Sequence, residues 1–244
     1  MGQIIVNSDA HVETSTVDGS VEHDDLSASL SWHQIVTAAG SDHDDDSTSM
    51  SCVMLWASAG VANKWRRCSR VIMLFDTSSI PDDATVSSAT LQVYGRSKFD
   101  GLPCTPDVCV YASNPTSDDD LINTDYATLG TTELSNVITY GAFDAAGWNT
   151  FTINGAGLAL INKTGITKFG LRNANYDVAD ELDPNNHDPT WNGNNDSFLV
   201  VSTAEEAGEE PILTVNYTEG GGAGGSSSQG AYFARRMVWR GSGL

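Results

Sequence analysis

Arg70-Val71-Ile72-Met73-Leu74-Phe75-Asp76-Thr77-Ser78-Ser79-Ile80-Pro81-Asp82-Asp83-Ala84-Thr85-Val86-Ser87-Ser88-Ala89-Thr90-Leu91-Gln92-Val93-Tyr94 is the stretch that decides the fold. Val71 to Phe75 is apolar without a break, the pattern of a strand central in a sheet and covered on both faces. Pro81 fixes φ and lacks an amide donor, which suits a strand exit, and the small residues Ala84 to Ser88 let the chain turn and rejoin the sheet. Thr90 to Tyr94 then alternates, so one of its faces is buried and the other wet. Phe75 and Leu91 are expected to face one core.

Working outward, β-branched and apolar runs recur between clusters of Gly, Pro, Asn, Asp and Ser, which predicts many short strands. They fall at residues 4–6, 10–14, 30–36, 52–57, 69–75, 89–94, 108–112, 137–140, 149–153, 166–172, 198–202 and 212–217. Long helices are absent, and Gly157 to Lys163 is the one helical candidate. The predicted class is all-β, a single antiparallel β-sandwich over residues 1–218.

The quoted stretch resembles the signature of DNRLRE-type domains, in which a strand ending in Phe-Asp leads through an Ile-Pro turn to a strand with Leu-x-Val-Tyr. The resemblance continues at Ser8 to Val12, Gly147 to Ile153 and Glu210 to Tyr217, so that its landmarks span nearly all of residues 1–218. It implies a jelly-roll sandwich similar to carbohydrate-binding modules, with Ile212 to Tyr217 closing beside the first strand. Such domains serve as accessory modules of surface, adhesive and polysaccharide-processing proteins. The partner domains usual in that family, catalytic ones included, are not expected here.

The 244 residues carry 12 Lys and Arg against 32 Asp and Glu, a formal charge of -20. From Glu219 onward there are three basic residues and one acidic; subtracting leaves nine basic and 31 acidic, so the body carries -22 and the tail +2. A body of that sign argues against nucleic acid and anionic membranes as partners. No run is long enough for a membrane span, and Met1 to Val6 lacks the basic and apolar regions of a secretory signal. Residues 219–230 read as a flexible Gly/Ser-rich linker. Residues 231–244 follow as a peptide in which Tyr232, Phe233, Met237, Val238 and Trp239 are interleaved with Arg235, Arg236 and Arg240, the composition of an interface anchor.

Other chemistry is weaker. Asp42-His43-Asp44-Asp45-Asp46 has alternating carboxylates, but Ser47 and Val53 stand where an EF-hand needs Gly and Glu, so a solvated loop is expected. Asp177, Asp180, Asp183 and Asp188 are candidate oxygen ligands for a structural Ca²⁺, the one cofactor considered. Trp65 and Trp191 stand in polar stretches, where an exposed indole would stack on a sugar and a folded-back one would cap the sandwich. Trp32, Trp56 and Trp148 are expected in the core. Cys52, Cys68, Cys104 and Cys109 form no metal frame; disulfides and free buried thiols both remain open. Glycosidase carboxylates, G-x-S-x-G, HExxH and P-loop patterns give no catalytic site. The expectation is a non-enzymatic structural subunit on the outside of a virion or surface filament, at an extracellular or virion-surface location, joined to other protein subunits through its C-terminal peptide. The alternative is a polysaccharide-binding adhesion module.

Overall fold

A computed structural model describes residues 1–45, 50–185 and 187–220. Asp46 of the acid run with Ser47 to Ser49, Asn186, and residues 221–244, which include Tyr232 to Arg240, lie outside the described residues. Eleven antiparallel strands make an all-β domain. They are β1 Gly2–Asn7, β2 Asp18–Asp24, β3 Asp42–Asp44, β4 Met50–Ala57, β5 Trp65–Asp76, β6 Thr85–Asp100, β7 Val108–Ala112, β8 Trp148–Thr152, β9 Ile166–Asn173, β10 Asp196–Ser202 and β11 Ile212–Thr218. The last strand, β11, pairs with β1, Gly2 opposite Tyr217, as the sequence led us to expect.

Two long strands organise the rest. The first half of β6 pairs with β11 and β8, and its second half with β10. One edge of β5 holds β2, while β4 and then β9 pair along it elsewhere, so that β10-β4-β5-β2-β3 form one continuous array. Strand β7 adds to β9.

The apolar run of β5 is buried on both faces. Val71, Met73 and Phe75 enter a first core with Leu91, Val93, Phe151, Phe169, Leu213 and Val215. Cys68, Ile72 and Leu74 enter a second core with Trp32, Ile35, Leu55, Trp65, Leu121 and Tyr126. Full burial of each large apolar side chain contributes about 1.5–3 kcal/mol, so the run stabilises both cores at once.

Several expected strands are otherwise. Residues 30–36 hold a helix, α1 Trp32–Val36: Ser31 caps the amide of Gln34, whose Oε1 accepts from the Ser31 amide at 2.9 Å, and Trp32, Ile35 and Val36 share one buried side. Residues 10–14 form no strand, and Ile138 makes only an isolated bridge to Val108. The helical candidate Gly157 to Lys163 is not a helix over its length: a single turn, α2 Gly155–Leu158, capped by Asn154, overlaps only its first two residues. Asp42 to Asp44, expected as loop, is a short edge strand, and the polar strand β2 escaped the apolar pattern altogether.

Candidate functional site

The four expected calcium ligands are not gathered into one cluster among the described residues. Asp177 is fully buried, and both its oxygens are taken by two guanidiniums: Arg70 Nε and Nη2 donate at 2.9 and 2.6 Å, Arg172 Nε and Nη2 at 2.9 and 2.7 Å. The Val71–Leu171 register is what sets Arg70 on β5 beside Arg172 on β9. Burial alone would push the Asp177 carboxyl up, but the two guanidiniums hold it down at about 2. Asp180, in a one-turn helix α3 Ala179–Leu182, pairs instead with His33, its Oδ2 lying 2.9 Å from His33 Nδ1. Asp183 is exposed and accepts from Asn185, and Asp188 is exposed, near Asp180. Among the described residues no three acidic, His or Cys side chains gather as a metal site.

Trp65 is 1% exposed and packs edge-on against Trp32, ring centroids 4.9 Å apart, so it has no free face for a sugar. Its polar neighbours hid the fact that β5 begins at Trp65 and turns the indole inward. Trp191 is half-buried, packs on the second core and leaves its Nε1 buried without a partner. Two expected core residues face outward: Trp148 is 39% exposed beside Tyr94, and Trp56 is half-buried on the outer sheet face.

The cysteines are free thiols. Burial pushes Cys52, Cys68 and Cys104 up to about 12, which removes them as nucleophiles at neutral pH.

The outer face of the array β6-β10-β4-β5-β2-β3 carries a mixed apolar and acidic surface. In β4 and β10, exposure alternates with burial, so Cys52, Met54, Trp56, Phe198 and Val200 share the outer face while Val53, Leu55, Leu199 and Val201 point in. Register makes a row across six strands: Phe99 opposite Phe198, Phe198 opposite Met54, Met54 opposite Ser69, Ser69 opposite Glu22, and Glu22 opposite Asp42. The row is aromatic and apolar at one end and acidic at the other. Phe99 and Phe198 lie 5.7 Å apart, and Phe99 is 46% exposed.

Beside this row Arg66 and Arg67 lie over the Trp56 ring at 4.5 and 5.5 Å and reach Asp24. Glu22 accepts from Ser69 Oγ at 2.8 Å and pairs with Arg67 Nη1 at 3.2 Å; burial raises its carboxyl above the usual range. Between the halves lies a groove of about 650 Å³ lined by Ser20, Glu22, Asp44, Cys52, Arg67 and Val200. Ser51 also lines it, and its buried hydroxyl has no partner. Asp42 and Asp44 pair with no cation among the described residues. The outward Phe198 and Val200 were legible as the complement of Leu199 and Val201; the lateral alignment with Phe99, Met54 and Glu22 needs the pairing partners. The chain matches no protein-family model and no curated protein.

Proposed function

We propose that this chain is a non-enzymatic assembly subunit: a rigid acidic sandwich carried by its basic aromatic C-terminal peptide, as in the surface layer of a virion or filament. The observation that carries this reading is the opposition of charge within one chain, -22 before Glu219 and +2 from it onward. It is supported by the exit point. Strand β11 is hydrogen-bonded on both sides as far as Tyr217, and Gly220 lies so close to the Asp83 carbonyl that a Cβ there would approach it to 2.4 Å. The described chain therefore ends against the start of β6 and the Asp83 turn. The jelly-roll kinship implied by the DNRLRE-like landmarks belongs to the same reading.

Deleting residues 219–244 is expected to leave a folded monomer that no longer joins its assembly; normal incorporation of the truncated chain would overturn the reading. A second reading, polysaccharide adhesion, is favoured by the outward Trp56, Phe99 and Phe198. Retention on a polysaccharide affinity gel that is lost in Phe99→Ala would support it instead.

A further inference from the structure

We propose that residues Asp9 to Thr16 form a strap latched by protons, closed while Glu13 and Asp18 carry them in a shared buried corner and released as they leave. The segment begins and ends on one residue of the central strand. Ser8 Oγ donates to the Leu74 carbonyl at 2.8 Å, and the Leu74 amide donates to the Val17 carbonyl at 3.0 Å. Between these anchors Asp9 Oδ2 accepts from the amides of Thr14 and Ser15 at 3.2 and 2.9 Å and from both hydroxyls, which folds the segment on itself. Glu205, on the loop after β10, ties the strap down: its Oε1 accepts from the His11 amide at 3.0 Å. Glu13 turns inward, its side chain 5% exposed, with Oε2 lying 3.1 Å from His11 Nδ1 and Oε1 buried without a partner. At the foot of the strap Asp18, on β2, is as enclosed: its Oδ2 accepts from the Ala204 amide at 3.0 Å, and its Oδ1 has no partner.

An ionised carboxylate only accepts, so two buried oxygens that face no donor are tolerated with protons and become unpaired buried charges without them. Burial, then the charges of Glu205 and Glu13, raises Asp18 well above the ordinary aspartate range. Burial also raises Glu13, with Asp45 acting in the same direction and His11 against it. No cation answers from the packed elements that carry one: Arg96 on β6 is committed to Glu206 and Glu209, and Lys168 on β9 to Asp118. The β5 residue opposite Asp18 is the apolar Met73. Because both folded values are raised, the latch is complete below the ordinary carboxylate values and is lost as pH rises through the folded ones. Asp9 works the other way. Burial opposes it, but the hydrogen bonds from Thr14 and Ser15 hold it below 3.8, so its part is lost only as pH falls through that lower value. The strap is therefore tightest in mildly acid solution. Thr14 and Ser15 wall one side of an open groove of about 670 Å³ whose other side includes Thr116, Ser117 and Lys168, so release of the strap widens that groove.

The test is amide hydrogen exchange of the full chain in a metal chelator, read as protection factors so that the intrinsic pH dependence of exchange cancels. Each released proton shifts the opening equilibrium by up to about tenfold per pH unit, so from about pH 5 to about pH 8 the amides of His11, Thr14 and Ser15 should lose protection by about tenfold or more. The amides of Ile72 and Met73 on β5 should keep theirs. Asp18→Asn is expected to hold the strap at about pH 8 as firmly as the parent holds it at about pH 5, and Glu13→Gln to remove a smaller share of the loss. Unchanged β5 protection shows that a variant is folded; if Asp18→Asn disturbs it, Glu13→Gln on the strap itself decides. Protection in the parent that does not change with pH overturns the proposal. So does a loss that survives Asp18→Asn combined with Glu13→Gln, and so does a loss shared equally by β5, which is unfolding of the whole domain. Protection restored at high pH by added calcium ion alone makes the corner a cation site and likewise overturns the proton latch.

Discussion

Replacing Asp177 by Ala would leave two buried guanidiniums, Arg70 at 1% and Arg172 at 0% exposure, side by side with their shared counter-charge gone. Glu181 contributes little in its place, since its carboxylate is a third exposed and reaches Arg70 only at 3.8 Å, although it stays paired with Arg172. Removing one partner of a buried pair costs about 3–5 kcal/mol, and here Arg70 is the cation left bare while Arg172 keeps Glu181. For a domain of this size each kcal/mol moves Tm by about 2–4 °C, so the melt should fall by roughly 6–20 °C. A triple variant, Arg70→Met with Arg172→Met and Asp177→Leu, separates charge from architecture. If the cluster were only ion pairing, the apolar triple would recover full stability or exceed it. The guanidiniums also donate to the carbonyls of Tyr126 at 2.6 Å, Val36 at 2.9 Å, Leu129 at 3.1 Å and Gly130 at 2.9 Å. Each carbonyl left bare costs about 1–3 kcal/mol, so the triple should stay well below the parent. Because the Asp177 carboxyl is held down at about 2, its contribution is complete above the ordinary aspartate value of 3.8 and disappears as pH falls through 2. Thermal and urea melts of the three proteins decide: Asp177→Ala within about 1 kcal/mol of the parent refutes the reasoning.

Asp18 has the opposite sign. It is 1% exposed, its Oδ1 has no partner, and burial, then the Glu205 charge, raises its carboxyl well above the ordinary range. The folded chain therefore holds a proton the unfolded chain releases; this stability is full below the ordinary value of 3.8 and lost as pH rises through the folded one. Asp18→Asn keeps an acceptor for the Ala204 amide, now 3.0 Å away, and should raise stability at neutral pH by about 1–3 kcal/mol in urea melts; no gain would contradict the burial argument. The thiols provide a third check. With Cys52, Cys68 and Cys104 pushed from 9.0 to about 12, their thiolate fraction is about a thousandfold below that of an ordinary cysteine, and native alkylation should be correspondingly slow, with all four cysteines labelled in denaturant. Fast native labelling of Cys52, or fewer than four labels in denaturant, would count against it.

What could be read from the sequence was what one strand declares about itself. The unbroken Val71 to Phe75 run required cover on both faces, and it has it. Alternation in Thr90 to Tyr94 and Ile212 to Tyr217 placed Leu91, Val93, Leu213 and Val215 in one core. What failed depended on neighbours. Strand β2 reads Asp-Gly-Ser-Val-Glu-His-Asp, with one apolar residue, and is a strand because β5 pairs along its length. Trp65 looked wet among Asn63, Lys64, Arg66 and Arg67, yet those cations face outward and leave the indole on the inner side. Asp177 looked like a ligand because nothing local shows that Arg70, 107 residues away, lies across from it. The Phe99 to Asp42 row is hidden for the same reason: its six members come from six strands scattered over the chain.

The same strand-sharing decides how the molecule behaves as a unit. Strand β5 gives Val71, Met73 and Phe75 to one core and Ile72 and Leu74 to the other, so neither core can open without stripping a face from the strand that seals its twin. Arg70, on that strand, ties it through Asp177 to Arg172 on β9 and through its other donors to the backbone of α1 and of the turn at Tyr126. The outer face inherits this stiffness. Its row runs through Ser69 on β5 and Phe99 on β6, the two longest strands, so the apolar and acidic ends hold a fixed separation. A surface of that kind is paid for before any partner arrives, which leaves the ordering cost of binding on the side of the partner alone.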